Sequence, residues 1–139
     1  MVDDSQAPSV GNRAIRVLIV DDQSAVRRGL HLRLSLEPEV EVIGEAGDGA
    51  EAISLAGSLR PDVVLMDVRM PGMDGIEATA ALRAVSRESA VVILSLDDDA
   101  KTRTRAKKAG AVAFIAKRRM EEELLAVVRR AAFGRPEGA

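Results

Sequence analysis

The chain has 139 residues, with 20 Lys or Arg against 22 Asp or Glu and a formal net charge of −2. That length favours one domain with one sizeable core. With no Cys, Trp or Tyr, one histidine (His31) and two phenylalanines (Phe114 and Phe133), the composition argues against disulfides, Cys- or His-based metal sites, a Ser-His-Asp triad and aromatic stacking platforms.

Residues 1–13 are polar and open with Asp3 and Asp4, without the basic start and apolar stretch of a signal peptide. They read as a disordered leader on a cytoplasmic protein. Five short Val- and Ile-rich runs follow, at 15–20, 40–45, 63–66, 90–94 and 113–115, each of a length suited to a buried parallel strand. Amphipathic helical segments alternate with them at 24–36, 50–59, 75–85, 100–109 and 121–132. Asp48 with Glu51, and Asp74 with Glu77, have the three-residue spacing of a capping box and mark two helix starts. Residues 134–139 read as a tail or the start of a linker. Strict alternation of strand and helix implies an α/β fold, a doubly wound parallel sheet with right-handed crossovers. The longest apolar run, 111–116, is far short of the roughly 20 residues that cross a bilayer. Charge is polarised along the chain: residues 1–100 carry a net −9 and residues 101–139 a net +7.

In such a sheet, ligands bind beyond the carboxyl ends of the strands. Asp21 and Asp22 follow the first run, Asp67 the third, Ser95 the fourth and Lys117 the fifth. If the first and third strands are neighbours, the three carboxylates fall within roughly 5–8 Å of one another. Two charges about 5 Å apart repel by roughly 3 kcal/mol at an effective dielectric near 20. Such a cluster must raise a pKa or hold a cation. Oxygen donors without His or Cys point to Mg²⁺. A carboxylate beside a metal, a hydroxyl and a lysine suits phosphoryl transfer.

Taken together, Val17 to Asp22 (VLIVDD), Pro61 to Gly75 (PDVVLMDVRMPGMDG), Val91 to Ser95 (VVILS) and Lys108 to Lys117 (KAGAVAFIAK) resemble the receiver domain of bacterial two-component response regulators, the CheY-like family. The stretches GEAGDG at 44–49 and LSLD at 94–97 are most similar to the NarL/FixJ-like subfamily, which carries a LuxR-type output domain. The resemblance implies a flavodoxin-like five-stranded parallel sheet in order 2-1-3-4-5, with five helices, and a receiver spanning 14–133. It implies that Asp67 accepts phosphate from a sensor histidine kinase. Asp21, Asp22, Asp67 and the main-chain carbonyl of Arg69 would hold Mg²⁺. Ser95 would be the switch hydroxyl, Lys117 the phosphate-binding lysine and Phe114 the rotating aromatic. Phosphorylation would then remodel the face of helix four, strand five and helix five. The resemblance makes the chain a phosphoacceptor that assists its own chemistry, not an enzyme, with a homodimer on phosphorylation to be tested for.

Two departures stand out. Arg118 follows Lys117 where the family usually has proline, often after a cis bond. No output domain follows the fifth helix, so DNA would be reached only through a domain absent from this chain: either the receiver stands alone or its output domain has been removed. Plainer readings accompany the sharper ones. Asp21 and Asp22 can cap the first helix, Asp97–Asp99 the fourth, and Phe114 can be core. The basic run at 101–108 suits a solvated or partner-docking face, and His31 an ordinary helix position. Among rivals, a Mg²⁺-dependent aspartyl phosphatase would need an aspartate where Arg69 stands. A flavin module would meet repulsion from Asp21 and Asp22. A receiver that binds partners without phosphorylation would not need Asp22, Asp67, Ser95 and Lys117 together.

Overall fold

Val- and Ile-rich runs bury both faces when they extend, and amphipathic runs bury one stripe when they coil. The computed structural model describes residues 13–133; the tail and all of the leader except Arg13 lie outside them. Along the chain come β1 (Ile15–Val20), α1 (Ser24–Ser35), β2 (Val40–Ala46), α2 (Gly49–Leu59), β3 (Val63–Asp67) and α3 (Gly75–Val85). They are followed by β4 (Ala90–Ser95), α4 (Ala100–Ala109), β5 (Ala113–Ala116), a 3-10 turn (Lys117–Arg119) and α5 (Met120–Phe133).

The strands form one parallel sheet in the order β2-β1-β3-β4-β5. Successive side chains of a strand point to opposite faces, so the core splits in two. Val17, Ile19, Val63, Leu65, Val92 and Leu94 pack with Leu30 and Leu34 of α1 and Leu124 and Val128 of α5. Leu18, Val20, Val64, Met66, Val91 and Ile93 pack with α2, α3 and Ala106 of α4. Because every strand pair is parallel, all five carboxyl ends lie at one edge.

Four strands run one residue beyond the boundaries expected from apolar runs, because pairing continues past the last apolar side chain: Val20 pairs with Ala46, Asp67 with Leu94, and Ser95 with Ala116. That extra residue carries Asp67 and Ser95 on the rigid sheet itself. Asp74 and Glu77 form the full reciprocal capping box at α3. At α2 only half of it forms: Asp48 accepts from the Glu51 N–H, while the Glu51 carboxylate turns to the Gly47 N–H. Asp99 caps α4 by accepting from the Thr102 N–H at 2.8 Å. Among the described residues every peptide bond is trans, Lys117–Arg118 included. No described helix is long and apolar enough to cross a membrane.

Candidate functional site

β1 and β3 are neighbours, so the residues that end them converge. Asp21 is buried. Its N–H donates to the Ala46 carbonyl, and its Oδ1 accepts from the Gln23 N–H at 2.9 Å. That local bond aims the carboxylate inward instead of capping α1, whose N-cap is Gln23 without a side-chain bond. Asp22 is exposed beside it, and Asp67, 6% exposed, ends β3. One carboxylate oxygen from each of Asp21, Asp22 and Asp67 lies within 4.8 Å of the others. From the end of β5, Lys117 brings its Nζ to 3.0 Å from Asp67 Oδ1 and 3.4 Å from Asp21 Oδ2.

Three carboxylates against one ammonium leave an excess of negative charge, with Asp21 and Asp67 buried and Asp22 facing solvent. Burial raises the Asp67 carboxyl above its ordinary range; the Lys117 hydrogen bond and charge oppose this, and Asp21 and Asp22 add to it. Burial pulls the Lys117 ammonium down, but the bond to Asp67 and the charges of Asp67 and Asp21 outweigh it, and the group ends above its usual value. Such a pocket favours a cation with oxygen ligands. It also presents a carboxylate whose neighbours can neutralise incoming oxyanions.

Ser95 ends β4 beside this group. It is buried, and its Oγ accepts from the Asp97 N–H at 3.0 Å, so its own proton is left to donate. Arg69 lies two residues past Asp67, and its guanidinium grips Asp97 through both carboxylate oxygens at 2.7 and 2.8 Å. Phe114 stands apart in β5, half-buried, with Arg103 Cζ 4.5 Å above its ring. His31 is part-exposed on α1 and meets Glu45 at 2.8 Å, away from the acidic group.

Two further residues shape the site from beside the strand ends. Gly75 sits against the strand end: a Cβ there would lie 1.9 Å from the Asp67 carbonyl oxygen, so the turn into α3 closes only on glycine. Its N–H donates to the Val68 carbonyl at 2.9 Å. Arg27 of α1 donates to the Asp21 carbonyl at 2.6 Å and to Glu45 at 3.1 Å, bracing the β1–α1 turn from behind. The glycine after Asp74 was a visible signal; the arginine gave none, since its partners come from two other segments.

A doubly wound sheet with an acidic cluster and a lysine at its carboxyl edge defines a class. The chain belongs to the response regulator receiver domain family, with residues 17–129 matched. Within it the likeness runs to NarL- and LuxR-type regulators. The chain is 44% identical over 124 residues to the transcriptional regulatory protein LiaR of Bacillus subtilis (strain 168), covering 88% of this chain and 58% of LiaR. It is 36% identical over 118 residues to the nitrate/nitrite response regulator protein NarL of Escherichia coli (strain K12), covering 85% of this chain and 55% of NarL. The chain thus spans little more than half the length of these curated relatives. Among solved structures, the signal receiver domain of the NarL response regulator from Mycobacterium tuberculosis superposes with a TM-score of 0.83 at 38% identity, covering 88% of this chain and 99% of that one.

Proposed function

We propose that this chain is a phosphoacceptor module in which Asp67 takes a phosphoryl group from a histidine kinase. The observation that carries the reading is the buried Asp67 carboxylate, 3.0 Å from Lys117 and grouped with Asp21 and Asp22. An Asp67 oxygen attacks phosphorus, the bond from phosphorus to the donor imidazole breaks, and the imidazole leaves with its electron pair. The product is an acyl phosphate. Lys117 follows the charge from carboxylate to phosphoryl oxygens, and the Ser95 hydroxyl donates to one of them.

The donor set fits Mg²⁺: clustered carboxylates, no thiolate and no imidazole. Asp21, Asp22, Asp67 and the Arg69 carbonyl would hold it. Bound there, the ion supplies positive charge to the transferring oxygens. The new charge on Asp67 then shifts the population of the face of α4, β5 and α5, with Phe114 turning inward. In a longer protein with a LuxR-type output domain, that face would control DNA binding.

The test is incubation with Mg²⁺ and acetyl phosphate, read by intact mass. Wild type gains one phosphoryl group and Asp67→Asn gains none. No adduct on wild type, or an undiminished one on the variant, overturns the reading.

A further inference from the structure

Asp98 lies between β4 and α4, where a carboxylate would ordinarily cap the helix. It does not: the capping is done by Asp99. Asp98 instead spends both oxygens on two arginines from different elements. Its Oδ1 accepts from Arg103 of α4 at 2.8 Å, and its Oδ2 accepts from Arg118 of the 3-10 turn at 2.9 Å. Arg118 is the neighbour of Lys117, which holds Asp67. The loop carrying Asp98 begins at Ser95, whose Oγ is bonded to it through the Asp97 N–H. Arg103 in turn covers the Phe114 ring. One carboxylate therefore ties together the loop after Ser95, the residue after Lys117 and the cation over Phe114.

We propose that Asp98 is a positioning residue that holds the resting state: it clamps the Ser95 loop to the Lys117 turn and keeps Arg103 over Phe114. An isolated surface ion pair contributes little, but here two arginines share one acceptor and one of them also stacks on an aromatic ring. Loosening the clamp releases the loop and the ring together. It thereby raises the fraction of molecules already arranged for phosphoryl transfer. This consequence for transfer rests on the reading of Asp67 as phosphoacceptor; the clamp itself does not.

The chain's two phenylalanines make the test direct. Protein labelled with 4-fluorophenylalanine gives one resonance from Phe114 and one from Phe133, assigned with Phe133→Leu. In the resting protein, Asp98→Ala and Arg118→Ala should each move or broaden the Phe114 resonance and leave the other in place. Arg118→Lys should restore it, and Lys101→Ala, an exposed cation of the same helix, should not disturb it. A Phe114 resonance unmoved in both alanine variants, or moved as much by Lys101→Ala, overturns the clamp.

The rate of adduct formation from acetyl phosphate provides the second arm. Asp98→Ala removes a negative charge and Arg118→Ala a positive one, so a mere charge effect drives the two rates in opposite directions. The clamp predicts the same direction for both, a rise of roughly three- to tenfold. Opposite directions, or no change in either, overturn the link to transfer. Failure of wild type to form any adduct overturns the phosphoacceptor reading and leaves the fluorine arm to decide the clamp.

Discussion

The two ends of the sheet handle polar groups in opposite ways. At the amino edge, groups are matched one to one. The Arg16 N–H donates to Asp62 at 2.8 Å, the Arg16 guanidinium to the Arg60 carbonyl at 2.8 Å, and Ser89 to the Pro61 carbonyl at 2.6 Å while meeting Ser86. At the carboxyl edge, three carboxylates cluster and one lysine reaches two of them, Asp21 and Asp67. The first arrangement satisfies donors and acceptors and adds stability. The second leaves charge unmatched around two buried carboxylates, which costs stability and favours a cation.

Substitutions at the two ends should therefore differ in kind. The largest effect is expected for Lys117→Ala, which leaves the acidic group without its cation. Urea melts should show a loss of about 2–4 kcal/mol, recovered in large part on adding Mg²⁺. A loss indifferent to Mg²⁺ would count against charge as its cause. At the amino edge, Asp62→Ala deprives the Arg16 N–H of its acceptor and should cost about 1–2 kcal/mol, with the Mg²⁺ response unchanged. Ser89→Ala breaks the hydroxyl chain to Pro61 and should cost about 1 kcal/mol, again without effect on phosphorylation measured by intact mass.

The smallest effect is one of pH. The His31 bond holds the Glu45 carboxyl below its ordinary value, burial resists this, and Arg27 adds to the lowering. Folding thus favours the charged form. Its contribution is present above the ordinary carboxyl range and is lost as pH falls through the depressed folded value. Glu45→Gln should flatten the acid limb of the stability curve in that window; parallel curves for the two proteins would refute the assignment.

Much of this was readable in order along the chain. Val- and Ile-rich runs gave the strands, the Asp-Glu spacings gave helix starts, and the strand-end rule brought Asp21, Asp22, Asp67, Ser95 and Lys117 to one edge. Each of those signals acts within a few residues or follows from the parallel pairing that strict strand–helix alternation implies. What escaped depends on loops meeting across sequence. The Arg69–Asp97 grip joins residues 28 apart, and Asp98 reaches Arg118 20 residues away. The 3-10 turn escaped as well: α5 was expected only from residue 121, yet helical winding begins at Lys117. With three residues per turn, Lys117, Arg118 and Arg119 point in three directions, to Asp67, Asp98 and Glu123.

That fanning changes the meaning of the lopsided charge. Arg103, Arg105, Lys117, Arg118 and Arg129 from the basic stretch find Asp98, Asp74, Asp67 and Glu39 in the acidic one. Part of the asymmetry is thus a seam between two parts of the chain, while Lys101, Lys107 and Lys108 stay exposed. Cut just before α4, between Asp99 and Ala100, the protein would yield fragments of net −9 and +7 that attract across the seam. Their reassembly would proceed readily at low ionic strength and fade as salt shortens the reach of that attraction.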